Sequence, residues 1–427
     1  MHPRNIYAAN SPQFVDLAEY YPALKQFLNK NSSIDFSNYE AVCTLSQALL
    51  ERDFNLKIDL PVTRLCPRVA NRLNYILWIQ DLLDSNEPHN DDNVLGLDIG
   101  TGASCIYPLL GCRLRNWKFI ATDIDPVAIS TASQNVLQNN MQYRIAILQT
   151  SANSPFFTPS REQNTFDFTM CNPPFYSSVT EMQESQIFKR RPPHSITLAS
   201  ETELVTTGGE LEFVSRMLYE SVQLAAKNVA TKKTWYTSMF GKLESLKEFV
   251  QKLRELELDN YVVTEFVQAM TRRWAVAWRF GFDRPAPNLT RPGFNDEGSY
   301  VSTALKGLLP PLTGCTIELH SDKTVDQKLS LVHEILLEYE EFMHLVLKSY
   351  TLTGTSDQGN VWSRSFRRRK RQKLEHREIK AADTTFRFQI SVMGTSTLLI
   401  QWIFGSSAVT FESFCGMLKK KIQERNV

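Results

Sequence analysis

The chain has 427 residues, with 47 Lys and Arg against 46 Asp and Glu, 42% hydrophobic and 11% aromatic residues, a balance that excludes disordered and fibrous classes and predicts a globular protein with a sizeable core. At ~100–200 residues per domain, two or three domains are expected. No stretch approaches the ~20 apolar residues of a membrane-spanning helix, and the segment Met1-His2-Pro3-Arg4-Asn5-Ile6-Tyr7 lacks the apolar core of a secretory signal.

Residues 1–85 read as a mainly helical extension. The apolar spacing of 39–50 and of 69–83 predicts one amphipathic helix each, with an alternating extended piece, Leu56-Lys57-Ile58-Asp59-Leu60-Pro61, between them. A polar loop near 84–93 opens a new regime over 86–282. Short apolar runs of strand length at 94–99, 119–124, 145–148 and 166–171 alternate with helical patterns at 103–110, 126–139 and 211–227. A strand at 234–239, a helix at 242–256 and two successive strands at 261–267 and 273–280 complete the series. Such alternation predicts an α/β domain with a mostly parallel sheet covered on both faces, and the final two strands an antiparallel hairpin within it. The Pro, Gly, Asn and Ser-rich stretch 283–313 reads as a linker. A smaller α+β unit then fits 314–427: a strand at 316–320, a long helix over 325–349, strands at 385–393 and 398–404, and a helix from 411 to about 424.

The seven cysteines are dispersed and contain no Cys-x-x-Cys, so they read as reduced thiols of an intracellular protein. None of the seven His has metal-ligand spacing, and no metal is expected. The near-neutral net charge hides one basic segment: 364–373 holds seven basic residues and no acidic one, which leaves the rest of the chain net acidic.

Two segments carry chemistry. Leu97-Asp98-Ile99-Gly100-Thr101-Gly102-Ala103 joins a strand to a helix, and its glycines let backbone approach a ligand at the carboxyl end of the strand. It lacks the third glycine of a dinucleotide fingerprint and the Gly-Lys-Ser/Thr of a phosphate loop. An acidic strand residue with a short Gly-x-Gly better suits a nucleoside amino acid without pyrophosphate, such as S-adenosylmethionine; a plain Gly turn between strand and helix with a helix-capping Asp is the alternative that these residues alone leave open. Asp123 ends the next strand 23 residues beyond Gly100, close to the ~20-residue offset at which a carboxylate meets ribose hydroxyls. Asp125, just before Pro126, reads as a helix cap.

The second segment, Asn172-Pro173-Pro174-Phe175-Tyr176, follows the fourth strand. Its prolines stiffen the turn, so that the Asn172 side-chain carbonyl and the Pro173 main-chain carbonyl can point outward as acceptors, with Phe175 or Tyr176 as a stacking face. An exocyclic adenine amine is a poor nucleophile because its lone pair is delocalised. Two acceptors on its hydrogens favour a pyramidal nitrogen, and stacking fixes the ring for in-line transfer.

These residues, with His2-Pro3-Arg4-Asn5-Ile6-Tyr7, Arg72-Leu73-Asn74-Tyr75-Ile76, Gly208-Gly209-Glu210-Leu211-Glu212-Phe213 and Arg272-Arg273-Trp274-Ala275-Val276-Ala277-Trp278, resemble the methyltransferase-like protein 16 family of RNA adenine-N6 methyltransferases, related to a bacterial enzyme that methylates adenine in 23S ribosomal RNA. The resemblance covers about 1–282. It implies a class I, Rossmann-like, seven-stranded methyltransferase domain that uses S-adenosylmethionine. The products it implies are N6-methyladenosine in the ACAGA box of U6 small nuclear RNA and, in animals, in hairpins or splice sites of S-adenosylmethionine synthetase transcripts. Arg72, Asp98, Gly100, Gly102, Asp123 and Asn172 become cofactor contacts, and Asn172, Pro173, Pro174 and Phe175 the catalytic set.

Candidate RNA contacts are Arg4, Tyr176, Lys189, Arg190, Arg191, Arg272 and Arg273, since phosphate binding needs Lys and Arg. Arg367, Arg368 and Arg369, within the basic segment, could mark an RNA clamp, a nuclear localisation signal or a solvated loop. The unit around them resembles, in layout, the family's accessory RNA-binding regions, and the substrate class implies a nuclear protein, with cytoplasmic presence open. Two other functions stay open at this level: a non-catalytic RNA-processing factor, and a methyltransferase for DNA adenine or a protein glutamine amide.

Overall fold

The computed structural model describes residues 1–85, 91–157, 165–187, 200–268, 271–294, 302–319, 323–371 and 384–425. The chain divides into two compact units, Met1–Phe280 and Gly281–Val427. Among the described residues no helix is long and apolar enough to cross a membrane.

In the first unit, two short helices, α1 (Ile6–Ala9) and α2 (Phe14–Tyr20), lead into α3 (Tyr39–Phe54) and α4 (Val69–Asp84). Asn38 caps α3 by accepting from the Ala41 N–H, which supplies one of the donors that a helix start leaves unpaired. The alternating piece at 56–61 is irregular rather than a strand. It is held by side chains instead of a ladder: Asn135 and Asn139 exchange hydrogen bonds with the backbone of Asp59 and Lys57.

The sheet then runs β1 (Leu95–Ile99), α5 (Ile106–Arg115), β2 (Lys118–Asp123), α6 (Pro126–Gln138), β3 (Ile145–Gln149) and β4 (Phe168–Cys171). Short helices α7 (Val179–Ile187) and α8 (Glu201–Leu204) precede α9 (Gly209–Lys227), β5 (Trp235–Phe240), α10 (Leu243–Glu255), β6 (Tyr261–Gln268) and β7 (Thr271–Trp278). The strand order is β3-β2-β1-β4-β5-β7-β6, with β7 antiparallel to both neighbours and the central pairs parallel. The expected seven-stranded mostly parallel sheet is therefore present, and the late hairpin inserts β7 between β5 and β6. Because β1 lies between β2 and β4, the chain changes direction across the sheet at β1, which opens a crevice at the carboxyl ends of β1 and β4.

Beneath that crevice β1 is packed by aromatics. The Phe119 and Phe168 rings meet edge to face at 5.6 Å, and Trp117 lies 4.9 Å from Phe168. Gly96 makes this possible, since a Cβ there would sit 2.4 Å from Phe168 Cζ and 2.8 Å from Phe119 Cε1. Gly96→Ala is expected to cost at least about 1–3 kcal/mol by overpacking, read as a lower urea midpoint at unchanged slope.

The second unit has a five-stranded antiparallel sheet in the order β8-β12-β11-β10-β9, formed by β8 (Gly314–Glu318), β9 (His344–Lys348), β10 (Thr351–Ser356), β11 (Phe386–Met393) and β12 (Thr397–Phe404). Helices α12 (Val325–Leu336) and α14 (Ala408–Glu424) contribute Leu329, Val332, Phe411 and Phe414 to one core with Phe388 and Trp402. Two expectations are corrected here. The long helix over 325–349 stops at Leu336. A 3-10 turn follows at Leu337–Tyr339, and the chain then reverses into β9. Residues 344–348 pair with the Thr-rich β10 across a tight turn, Lys348 opposite Thr351, and this hairpin, continued by β10 on β11, overrides a helical apolar spacing. The stretch 283–313 is not a free linker in its described parts. α11 (Pro287–Thr290) is packed, the Thr290 and Thr313 hydroxyls bond at 2.9 Å, and the Arg284 Nε donates to the Gly405 carbonyl at 2.9 Å with its guanidinium over the Trp402 ring. The basic segment starts as a helix, α13 (Arg364–Arg371), whose Phe366 ring packs on Phe342 at 5.1 Å.

Candidate active site

The glycine loop after β1 is shaped by two residues with positive φ, Gly100 (73°) and Gly102 (64°), a conformation that side chains with a Cβ disfavour. The Gly100 and Thr101 N–H groups both donate to the Thr122 carbonyl at 2.9 Å, which ties the loop to the end of β2. Asp123 then bridges two turns: Oδ2 accepts from the Gly102 N–H at 2.8 Å and Oδ1 from the Asp125 N–H at 3.0 Å. Each oxygen keeps a lone pair for a further donor. Burial raises the Asp123 carboxyl above its ordinary value, against those backbone bonds. Asp125 caps α6 through the Val127 and Ala128 N–H groups, with Pro126 at the first helical position, as its spacing predicts.

Asp98 is 1% exposed on β1, and among the described residues neither carboxylate oxygen makes a hydrogen bond. Burial pushes its pKa up to about 7. The nearby Thr101 hydroxyl and the Arg72 charge oppose that rise, and Asp123 adds to it. Arg72, on α4, donates to the Tyr107 hydroxyl at 2.8 Å and lies 5.3 Å over that ring, yet its Nε is buried without a partner.

At the end of β4 the Asn172 Oδ1 is likewise buried and unpartnered. The strand end is held from below by the Tyr75 hydroxyl, 3.4 Å from both the Cys171 N and O and 2.6 Å from the Thr237 hydroxyl. Gly100, Gly102, Asp123, Asn172, Pro173 and Pro174 line one cavity, which Arg72 and Tyr107 also line. Phe175 is half-buried, with the Arg273 guanidinium 5.3 Å over its ring. Tyr176 makes a bridge with Val205, its N–H donating to the Leu204 carbonyl at 3.0 Å, and the Lys242 ammonium lies 5.6 Å from its ring.

The other expected contacts are placed differently. Arg4 is engaged within the molecule: it pairs with Asp81 and donates to Gln80 Oε1 and the Leu77 carbonyl, both at 3.1 Å. Arg272 pairs with Glu265 at 3.1 Å and keeps an exposed side chain. Lys189, Arg190 and Arg191 lie outside the described residues. Arg367, Arg368 and Arg369 fall on α13 in the second unit. Arg368 is exposed, and the side chains of Arg367 and Arg369 lie outside what is described. Among the described residues no group of three or more His, Cys, Asp or Glu is placed to hold a metal ion.

Several site residues escaped sequence reasoning. Arg64 forms a largely buried ion pair with Asp125, and Glu203 accepts from the Leu65 N–H at 3.3 Å, so segments 64–67 and 202–206 together wall the cavity. Arg216 of α9 donates to the Ala152 and Ser154 carbonyls and stacks on Phe156, fixing another wall. These pairings join segments distant in sequence and carry no local motif.

The unpartnered groups are a fit test for S-adenosylmethionine. Arg72 offers a guanidinium that would suit a carboxylate and Asp123 free lone pairs that would suit ribose hydroxyls, and the cavity adds apolar walls from Ile106, Ile124 and Pro155; Asp98, buried on β1, is not among the residues that line it. The residues fit that ligand. The strand order with its single reversed strand, the acidic glycine loop after β1 and Asn-Pro-Pro-Phe after β4 define a class I methyltransferase.

A family model described as RNA methyltransferase matches residues 1–281. The U6 small nuclear RNA (adenine-(43)-N(6))-methyltransferase of Schizosaccharomyces pombe is 36% identical over 399 residues, covering 92% of this chain and 96% of that protein. Among solved structures, the human METTL16 catalytic domain in complex with a MAT2A 3′UTR hairpin is 40% identical with a TM-score of 0.61, over 67% of this chain and 98% of that one. The human METTL16 N-terminal domain in complex with S-adenosylhomocysteine is 39% identical with a TM-score of 0.54, over 66% of this chain and 98% of that one. The chain spans about half the length of the mouse and human relatives, 53% and 52%. The chain belongs to this RNA methyltransferase family, and its cofactor is S-adenosylmethionine.

Proposed function

We propose that this protein forms N6-methyladenosine in structured RNA, with the ACAGA box of U6 small nuclear RNA as its first substrate and S-adenosylmethionine synthetase transcript hairpins as a second class. The observation that carries the reading is the unpartnered Asn172 Oδ1, buried at the end of β4 on the same cavity as the glycine loop and Asp123. A buried acceptor without a donor costs about 1–3 kcal/mol. A ligand N–H removes that cost.

The cofactor supplies an electrophilic sulfonium methyl. The chain's own residues do the rest. Asp98 and Arg72 hold the amino-acid end and Asp123 the ribose. The Asn172 Oδ1 and Pro173 carbonyl accept the two amine hydrogens, which localises the lone pair on N6 in the direction of transfer. Phe175, with Tyr176 beside it, offers the stacking face. No strong base is needed at the outset, because N6 becomes acidic once it carries positive charge and then releases its proton to solvent.

The S. pombe relative, matched over nearly its whole length and named for a small nuclear RNA, supports the U6 reading and a nuclear location. Incubation with labelled cofactor and a hairpin presenting ACAGA, with the product base identified by mass spectrometry, should give N6-methyladenosine. Label entering only DNA adenine or a glutamine-containing peptide would overturn the assignment.

The proposed division of labour gives 1–85 to RNA positioning, 86–282 to catalysis and the second unit to added RNA affinity through α13. Replacing the exposed Arg364 and Arg368 together by Ala should weaken RNA binding and flatten its salt dependence by about two log units per log salt, roughly one per phosphate contact. The check is a binding series from low to high salt. An unchanged slope would take α13 out of the interface.

A further inference from the structure

The start of α9 lies against the catalytic loop. Glu210 is 1% exposed, and both carboxylate oxygens are used: Oε2 accepts from the Gly241 N–H at 2.6 Å and Oε1 from the Lys242 N–H at 2.9 Å. A buried carboxylate on backbone N–H groups sets the position of the chain that carries them. That chain is the turn after β5, and its neighbour is Phe175. A Cβ on Gly241 would stand 2.7 Å from Phe175 Cδ1, 3.1 Å from Cε1 and 3.2 Å from Glu210 Oε2. The adjoining Gly209 approaches the same loop, with the position of a Cβ there 3.4 Å from the Ser177 N and 3.7 Å from the Phe175 O. On another side Arg273 lies over the Phe175 ring, where the Glu210 charge favours its guanidinium while burial and Arg72 work against it. The Gly241 turn and the Arg273 cation thus flank one aromatic ring, and Glu210 holds the turn in place.

We propose that Glu210 is a positioning residue for methyl transfer: it fixes the Gly241 turn as a seat that aims the Phe175 ring at the target adenine. This rests on the assignment of Phe175 as the stacking face. Glu210 touches neither substrate nor cofactor in this reading, so it acts entirely through Phe175. Losing the seat misplaces the ring by a fraction of its own width and leaves both binding surfaces intact.

The test is a double-mutant cycle in the full chain with Glu210→Gln, Phe175→Ala and the pair, measuring single-turnover transfer to the ACAGA hairpin, cofactor affinity, RNA affinity and Tm. Glu210→Gln should lower the transfer rate by about 10²-fold, the effect of a ring misplaced by ~1 Å, with both affinities within about twofold of wild type. In the Phe175→Ala background the same change should cost less than about threefold, because the residue it acts through is gone. An equal cost in both backgrounds would overturn the inference, as would a lowered Tm with an unchanged rate per folded molecule. Gly241→Ala, which leaves Glu210 intact and crowds the ring, should reproduce the loss if Glu210→Gln does not fold. A hairpin with 2-aminopurine at the target position separates this inference from the functional assignment. Its quenching by wild type should be relieved in both variants, and unrelieved quenching sinks the seat whatever base is methylated. Absence of transfer by wild type overturns the assignment instead.

Discussion

Replacement of Asn172 by Ala should slow methyl transfer by about 10²–10³-fold while leaving RNA affinity nearly unchanged. The side chain sits at the rigid end of β4, anchored through Cys171 to the Tyr75 hydroxyl and followed by two prolines, and its Oδ1 is buried without a partner. Such an acceptor is set in place before substrate arrives, so no reorganisation is needed at the moment of reaction. Removing one preorganised polar contact of this kind costs about 10²–10³-fold in kcat. Binding of the hairpin draws instead on phosphate contacts spread over basic side chains, which the substitution leaves alone. Single-turnover rates and hairpin titrations on the same preparation decide the matter. A parallel loss of rate and affinity would mean that Asn172 holds RNA rather than the reacting amine.

The second large effect concerns Asp98 and pH. In the ligand-free protein its pKa lies at about 7 rather than 3.8 because burial disfavours the charged form. The folded state therefore keeps a proton that the unfolded chain has already released. For an acid shifted upward, the ionised group destabilises the fold. The penalty is absent below about pH 4, grows as pH rises towards 7 and then levels off, at up to about 4 kcal/mol. Asp98→Asn removes the charge, so its Tm should exceed that of ligand-free wild type at pH 8 and match it near pH 4. The same substitution should weaken cofactor binding by roughly 10–100-fold, the worth of a hydrogen bond to a charged group. In wild type, cofactor affinity should rise between pH 6 and 8 as the carboxylate ionises to meet an ammonium. Thermal melts and cofactor titrations across pH check both halves. A variant that is neither more stable at pH 8 nor weaker for cofactor would remove Asp98 from the site. A stabilising substitution that damages binding is what a residue kept for function at the cost of stability predicts.

Much of the first unit was legible because its chemistry is local. The short buried runs Leu95–Ile99 and Lys118–Asp123, the helices between them, the Asp125 cap and the turn after Cys171 each declare themselves within a window of a few residues. The errors fell where a tertiary partner outvoted the local apolar pattern. Residues 344–348 carry apolar spacing suited to a helix but become β9 once β10 is available to pair with them. The Pro-rich stretch after 282 looks like a tether until Arg284 is seen on Trp402 and Gly405. Arg4 reads as a free cation until Asp81, 77 residues on, takes its charge.

By itself the amino-acid order determined the methyltransferase class, the cofactor loop, Asp123 and the Asn172-Pro173-Pro174-Phe175 turn, since each depends on residue type and spacing along one stretch of backbone. Only the tertiary structure decided which polar atoms remain without partners, which basic side chains are already engaged, and that Gly241, held by Glu210, and Arg273 meet Phe175. Those facts arise from contacts between segments that are far apart in the chain, and burial, desolvation and hydrogen-bond satisfaction exist only once the segments have been packed together.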